Sequence, residues 1–274
     1  NFLDSTSESN IEKMIIHDDY HCKIFQDFGI SEPASFYLKA NVVTPDFLLL
    51  SSISKKNIYT SKFSKSIALG MYTADLLYAN SFKNFNLVSD YQKVIEELST
   101  ELDINSKISE DERNIFQKSQ NSDSISYLVN LNFHKTCNEL HKIKSYYALP
   151  FIIYGYWLQN TYLLAKTIQN STVPQEYHIE LFNQIAYGRN MIRYFNNILL
   201  DSESFEVNNQ LQSLIIDINV IVNLLSGNYR TDEFIYNQNH LEEICSGLEK
   251  IKSITADEPY EKIQIQQQLK SLNQ

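Results

Sequence analysis

Glycine and proline are scarce, with 6 and 5 of them in 274 residues. A β-sandwich or barrel needs a tight turn every few residues, and those turns draw on glycine and proline. The shortage therefore excludes such folds and favours long helices joined by short polar links. Cysteine is as rare. Cys22, Cys137 and Cys245 are widely spaced, odd in number and free of any CxxC pair, which excludes a disulfide scaffold.

Positive charge is also short. Lys and Arg number 23 against 33 Asp and Glu, giving a net charge of −10 without a basic run. Nucleic-acid binding depends on neutralising phosphates, so no nucleic-acid partner is expected, and an anionic membrane surface is disfavoured on the same ground. The sequence holds no GxGxxG, P-loop, GxSxG or DxDxDG motif, and no cofactor is expected.

What is present is aromatic and helical. The 18 tyrosines and 15 phenylalanines supply large surfaces for burial, with hydroxyls that need partners. Between Lys144 and Lys166 runs the charge-free stretch "SYYALPFIIYGYWLQNTYLLA". Its length would suit a bilayer, but Pro150, Gly155, Gln159, Asn160 and the tyrosines point to a buried helix, and no transmembrane span is expected.

Start and stop signals divide the chain into nine or ten helices. A first helix over 9–28 ends at Gly29, and Thr44-Pro45-Asp46 supplies an N-cap, an N1 proline and an acidic first turn. A long helix over 61–85 carries Leu69, Tyr72, Leu76 and Ala79 on one face, and Asn86 caps the next. Ser109 with Glu112, and Thr172 with Gln175, read as capping boxes. "NSDS" at 121–124 opens a helix to about 147, which Pro150 breaks. Further helices run from Thr172 to Leu200, from Ser204 to Gly227, and through Leu241, Ile244, Leu248 and Ile251. Glu258-Pro259 starts a last segment.

The pattern predicts one all-α domain over 1–274, with antiparallel helical hairpins packed as a bundle or short solenoid-like array. A loose echo hints at an internal duplication around 61–105 and 146–200. Gly70 and Gly155 each enter an aromatic-rich helix, and Asp75 and Asn160 each follow five residues later.

Three constellations could carry chemistry. His17 and His21 stand one helical turn apart, a spacing that two imidazoles can use to share a zinc ion. His134, Cys137 and His141 fall on one side of a helix and define the alternative of a helical metalloprotein or a Cys/His enzyme. Cys137 also continues the stripe of Val129, Phe133 and Leu140, so the expected role is packing. The third is Asp75, set between Tyr72 and Tyr78 in an apolar helix. A buried carboxylate must be paired, and tyrosine hydroxyls or free backbone N–H groups are the expected donors. The expectation is a structural tie, with ligand binding by Tyr72, Asp75, Tyr78, Trp157 and Asn160 as the other reading. A small apolar ligand in a tyrosine-lined cavity is a second alternative. Trp157 is expected to be buried.

"SEPASFYLKAN", "YTSKFSKSIALGMYTADLLYANSF" and "GYWLQNTYLLA" resemble, in order and spacing, an uncharacterised family of exported helical proteins from Bacteroidetes, many of which look like lipoproteins. Gly70, Tyr72, Asp75, Leu76, Tyr78 and Ala79 match its "LGVYGADLxYA" helix. Gly155, Trp157 and Tyr162 match its "GGWIExLY" helix, while Thr73, Tyr156 and Gln159 depart from the pattern. The resemblance implies export to the periplasm or outer membrane, with a lipid anchor ahead of residue 1; a gene without a signal peptide would place the chain in the cytoplasm. It implies no activity, substrate or cofactor. The functional expectation is a non-enzymatic envelope module that binds a protein or glycan.

Overall fold

A computed structural model describes residues 23–30, 43–104, 112, 114, 121–227 and 235–255. Among them are eight α-helices, slightly fewer than the nine or ten expected, and no strand, so the chain is all-α. They are α1 (Lys23–Phe28), α2 (Lys62–Ser81), α3 (Phe85–Glu101), α4 (Ser122–Lys142), α5 (Leu149–Asn170), α6 (Gln175–Asp201), α7 (Phe205–Ser226) and α8 (Gln238–Thr255). Two short 3₁₀ turns, Phe47–Leu49 and Ile53–Ile58, punctuate the segment ahead of α2. His17, His21, Cys22 and the segment from Glu258 lie outside the described residues.

Several boundaries follow the sequence signals. Gly29 takes a left-handed φ of 57° after α1, and Ser204 caps α7 by accepting from the Val207 N–H. At the start of α2, Ser61 and Ser64 exchange hydrogen bonds in a capping box built from two serines.

Other boundaries differ. The helix expected over 61–85 stops at Ser81, because Lys83 turns left-handed (φ 58°) and Asn84, not Asn86, caps α3. Asp103 (φ 56°) and Lys144 (φ 50°) do the same beyond α3 and α4. In all three places an N–H reaches back five residues: Asn84 to the Ala79 carbonyl (2.9 Å), Ile104 to Ser99 (2.9 Å) and Ser145 to Leu140 (2.8 Å). These are Schellman closures built without glycine, the residue that favours them. Lys144 thus ends α4 before Tyr147, and Pro150 sits harmlessly in the first turn of α5. Two expected caps are replaced. Asp46, rather than Thr44, caps the first 3₁₀ turn, and α6 begins after Pro174 without a side-chain cap.

The centre of the bundle is the pair α2 and α5. α3 and α4 lie against α2, α6 and α8 against α5, and α7 against α6 and α8. Burial extends around α2 beyond the face of Leu69, Tyr72, Leu76 and Ala79, and α5 is the buried helix expected. A helix enclosed by neighbours has no solvent side to keep polar. Phe63 packs on Phe151 near the start of both helices, and Asp75 meets Gln159 further along, so the two run in the same direction. No described helix is long and apolar enough to cross a membrane.

Candidate functional site

Two glycines set the distance between the central helices. A Cβ on Gly70 would strike the Ile152 carbonyl and the Tyr156 N–H of α5, and one on Gly155 would strike the Ile67 carbonyl of α2. With no side chain at either point, the backbones touch, and the residues one turn further on are pressed together in the interior. Those residues are Asp75 and Gln159.

Asp75 is fully buried. Its Oδ1 accepts from Gln159 Nε2 (2.5 Å) and its Oδ2 from the Ser51 N–H (3.0 Å). Ser51 belongs to a strap, residues 43–60, that crosses α2 and α3. Three tyrosines hold the same strap by its backbone. The Tyr72 hydroxyl donates to the Ser52 carbonyl (3.1 Å), Tyr91 of α3 donates to the Ser51 carbonyl (2.8 Å), and the Tyr78 hydroxyl accepts from the Asp46 N–H (3.1 Å). Outside, Lys56 of the strap pairs with Glu97 (2.5 Å) and Glu101 (3.5 Å) of α3. The donors to Asp75 are therefore a backbone N–H and an amide, while the neighbouring tyrosine hydroxyls serve the strap instead.

α8 brings a cation to this centre. Lys252 lays its ammonium 3.7 Å from the centroid of the Tyr162 ring, and its charge is felt at Asp75. Glu249, one turn earlier on α8, pairs with Lys166 (2.8 Å) and accepts from the Tyr162 hydroxyl (3.4 Å). Burial pushes the Asp75 carboxyl up to about 6, against the pull of the Lys252 charge and of the Ser51 and Gln159 donors. Burial likewise draws the Lys252 ammonium down to about 8, while the charges of Asp75 and Glu249 hold it up. The hydroxyls of Tyr72 and Tyr91 are raised far above their usual value by burial first, and stay neutral.

The remaining candidates fall elsewhere. Trp157 is 2% exposed, lies against Gly188 of α6, and leaves its indole N–H without a hydrogen-bond partner. Asn160 is buried in α5. Cys137 is buried in the hydrophobic core, where His134 meets the Phe25 ring edge-on at 5.0 Å; His141 is partly exposed. No group of three or more metal-ligating side chains is gathered among the described residues. Gln159, Ser51, Tyr91 and Lys252 are the site residues that sequence reasoning did not single out. Only Gln159 left a signal there, as a polar side chain in the charge-free stretch of α5.

Comparison of the chain with protein-family models, with curated proteins and with solved structures finds no match.

Proposed function

We propose that the chain is a non-enzymatic binding or scaffold module of the bacterial cell envelope. In this reading it is exported, attached ahead of residue 1, and offers a rigid helical surface to a protein or glycan. The observation that carries the proposal is the use made of Asp75. Both carboxylate oxygens are committed to donors that fix the fold, one on α5 and one on the strap. A general acid or base must touch a substrate atom, whereas Asp75 is fully buried and faces donors of its own chain. The resemblance of residues 31–41, 59–82 and 155–165 to exported helical proteins supports the placement.

Fractionation of cells that express the protein natively tests the location: recovery with the envelope is expected, and recovery in the cytosol overturns it. Elemental analysis of the purified chain tests the activity class. Stoichiometric zinc or iron would replace this reading with the metalloprotein on the His134, Cys137 and His141 face. A lipid retained in native mass spectrometry would replace it with a carrier of small apolar ligands.

A further inference from the structure

Gln159 is wholly buried with half of its amide unused. Nε2 donates to Asp75, but Oε1 has no hydrogen-bond partner. Oε1 is the one atom of this amide that can accept from a proton-bearing partner. A carboxylate can only accept, whereas a carboxylic acid carries one O–H. If the Gln159 amide turns over, Nε2 and Oε1 exchange places, and the acceptor faces Asp75.

We propose that Asp75 and Gln159 form a two-state proton switch, in which Gln159 donates to the carboxylate in one state and accepts from the carboxylic acid in the other. One proton enters from solvent on Oδ1, and Oδ2 keeps its bond from the Ser51 N–H throughout. The strap stays attached, and what changes is the charge presented to α8.

The surrounding groups make Asp75 the member that titrates. Tyr59 from the strap, Tyr72 from α2 and Tyr91 from α3 are all raised, chiefly by burial, and remain protonated. Lys252 from α8 is the cation facing the carboxylate, with Tyr162 beneath it and the Lys166–Glu249 pair beyond. When Asp75 takes up its proton, Glu249 on the half-exposed side of α8 still acts on Lys252. The ammonium thus passes from an interior counter-charge to a surface one. Because burial holds Asp75 near pH 6, the exchange falls in a mildly acid range.

Carbon and nitrogen NMR of the whole chain between pH 4.5 and 8 tests the switch. The Asp75 carboxyl carbon is expected to titrate near pH 6, with the Gln159 side-chain amide moving at the same midpoint and the Ser51 amide remaining hydrogen-bonded at every pH. Lys252→Met should raise that midpoint by about one pH unit by removing the cation. In Asp75→Asn the new amide can stand in for the O–H, so Gln159 should sit at its acid-limit position at every pH. A Gln159 amide indifferent to the titration, a Ser51 hydrogen bond lost with it, or a midpoint unmoved by Lys252→Met overturns the proposal.

Discussion

Gly70 and Gly155 sit on opposite helices of one crossing, each set against the other helix's backbone. That reciprocity makes the pair the hinge of the whole site, because it presses Asp75 on Gln159 one turn away. A methyl group at either position meets a carbonyl that belongs to a helix and cannot rotate aside. Gly70→Ala and Gly155→Ala should each cost about 3 kcal/mol or more, at or above the upper end for overpacking. The double variant should cost less than the sum, since one displacement of the helices relieves both. Gly247 is the control. Its added Cβ would meet only the end of the Leu224 side chain, and a mid-helix alanine gains up to about 1 kcal/mol in propensity. Urea midpoints that rank Gly247→Ala with the other two would show that the crossing is not the tight point.

The strap is held by side chains of α2 and α3 that act on two adjacent residues, Ser51 and Ser52. Asp75→Ala strands both the Ser51 N–H and the Gln159 amide and should cost about 1–3 kcal/mol. Asp75→Asn keeps an acceptor for Ser51 and should cost less. Tyr91→Phe leaves the Ser51 carbonyl without its donor, on the other side of the same peptide segment. Because the two residues hold one piece of chain, Asp75→Ala combined with Tyr91→Phe should fall short of additivity. Thermal melts decide this, and an unchanged midpoint for Asp75→Ala would remove the tie.

The all-α class was legible because glycine and proline are too few for β-turns and apolar residues recur at helical spacing. Helix ends marked by glycine or a serine cap, at Gly29, Ser61 and Ser204, were legible as well. The ends at Lys83, Asp103 and Lys144 were not, since they use the left-handed conformation in residues that disfavour it. At Asp75 the chemistry was legible and the partners were not. Burial of a carboxylate demands donors wherever they come from, but a helical wheel shows only neighbours on the same helix. It suggested Tyr72 and Tyr78; of the two kinds of donor expected, the free backbone N–H is the one found, at Ser51 of the strap, and the second donor arrives from α5. Lys252 belongs to a different helix again, beyond the reach of any spacing rule.

Trp157, the chain's one tryptophan, reports on the core directly. At 2% exposure and against Gly188, its emission should be blue-shifted and poorly quenched by acrylamide. Trp157→Ala should cost about 3–5 kcal/mol, as removal of a large buried ring does. Trp157→Phe should cost much less, because the smaller ring loses some packing but also removes an indole N–H that has no partner. Strong quenching, or a phenylalanine variant as unstable as the alanine one, would contradict the packed position.

Two buried groups should bend the pH dependence of stability in opposite directions. Asp75 is raised from 3.8 to about 6 in the folded chain, first by burial. Between those values the native state holds the proton and the unfolded state does not. The stability Asp75 contributes is therefore full in acid and is lost as the pH rises towards about 6. His178 behaves conversely. Its Nδ1 accepts from the Tyr236 N–H (3.2 Å), and burial lowers it from 6.5. Its contribution is full above 6.5 and is lost as the pH falls below that value, where the unfolded imidazole takes a proton first. Wild-type denaturation alone would show the two partly cancelling. Subtracting the Asp75→Asn curve isolates the carboxylate, and the difference should shift against the wild type by about 1–3 kcal/mol between pH 4.5 and 7. Subtracting His178→Gln should give a difference of opposite slope that develops as the pH falls below 6.5. A constant offset in the first subtraction would mean that Asp75 titrates at the same pH in both states, and that its burial leaves the charge unpenalised.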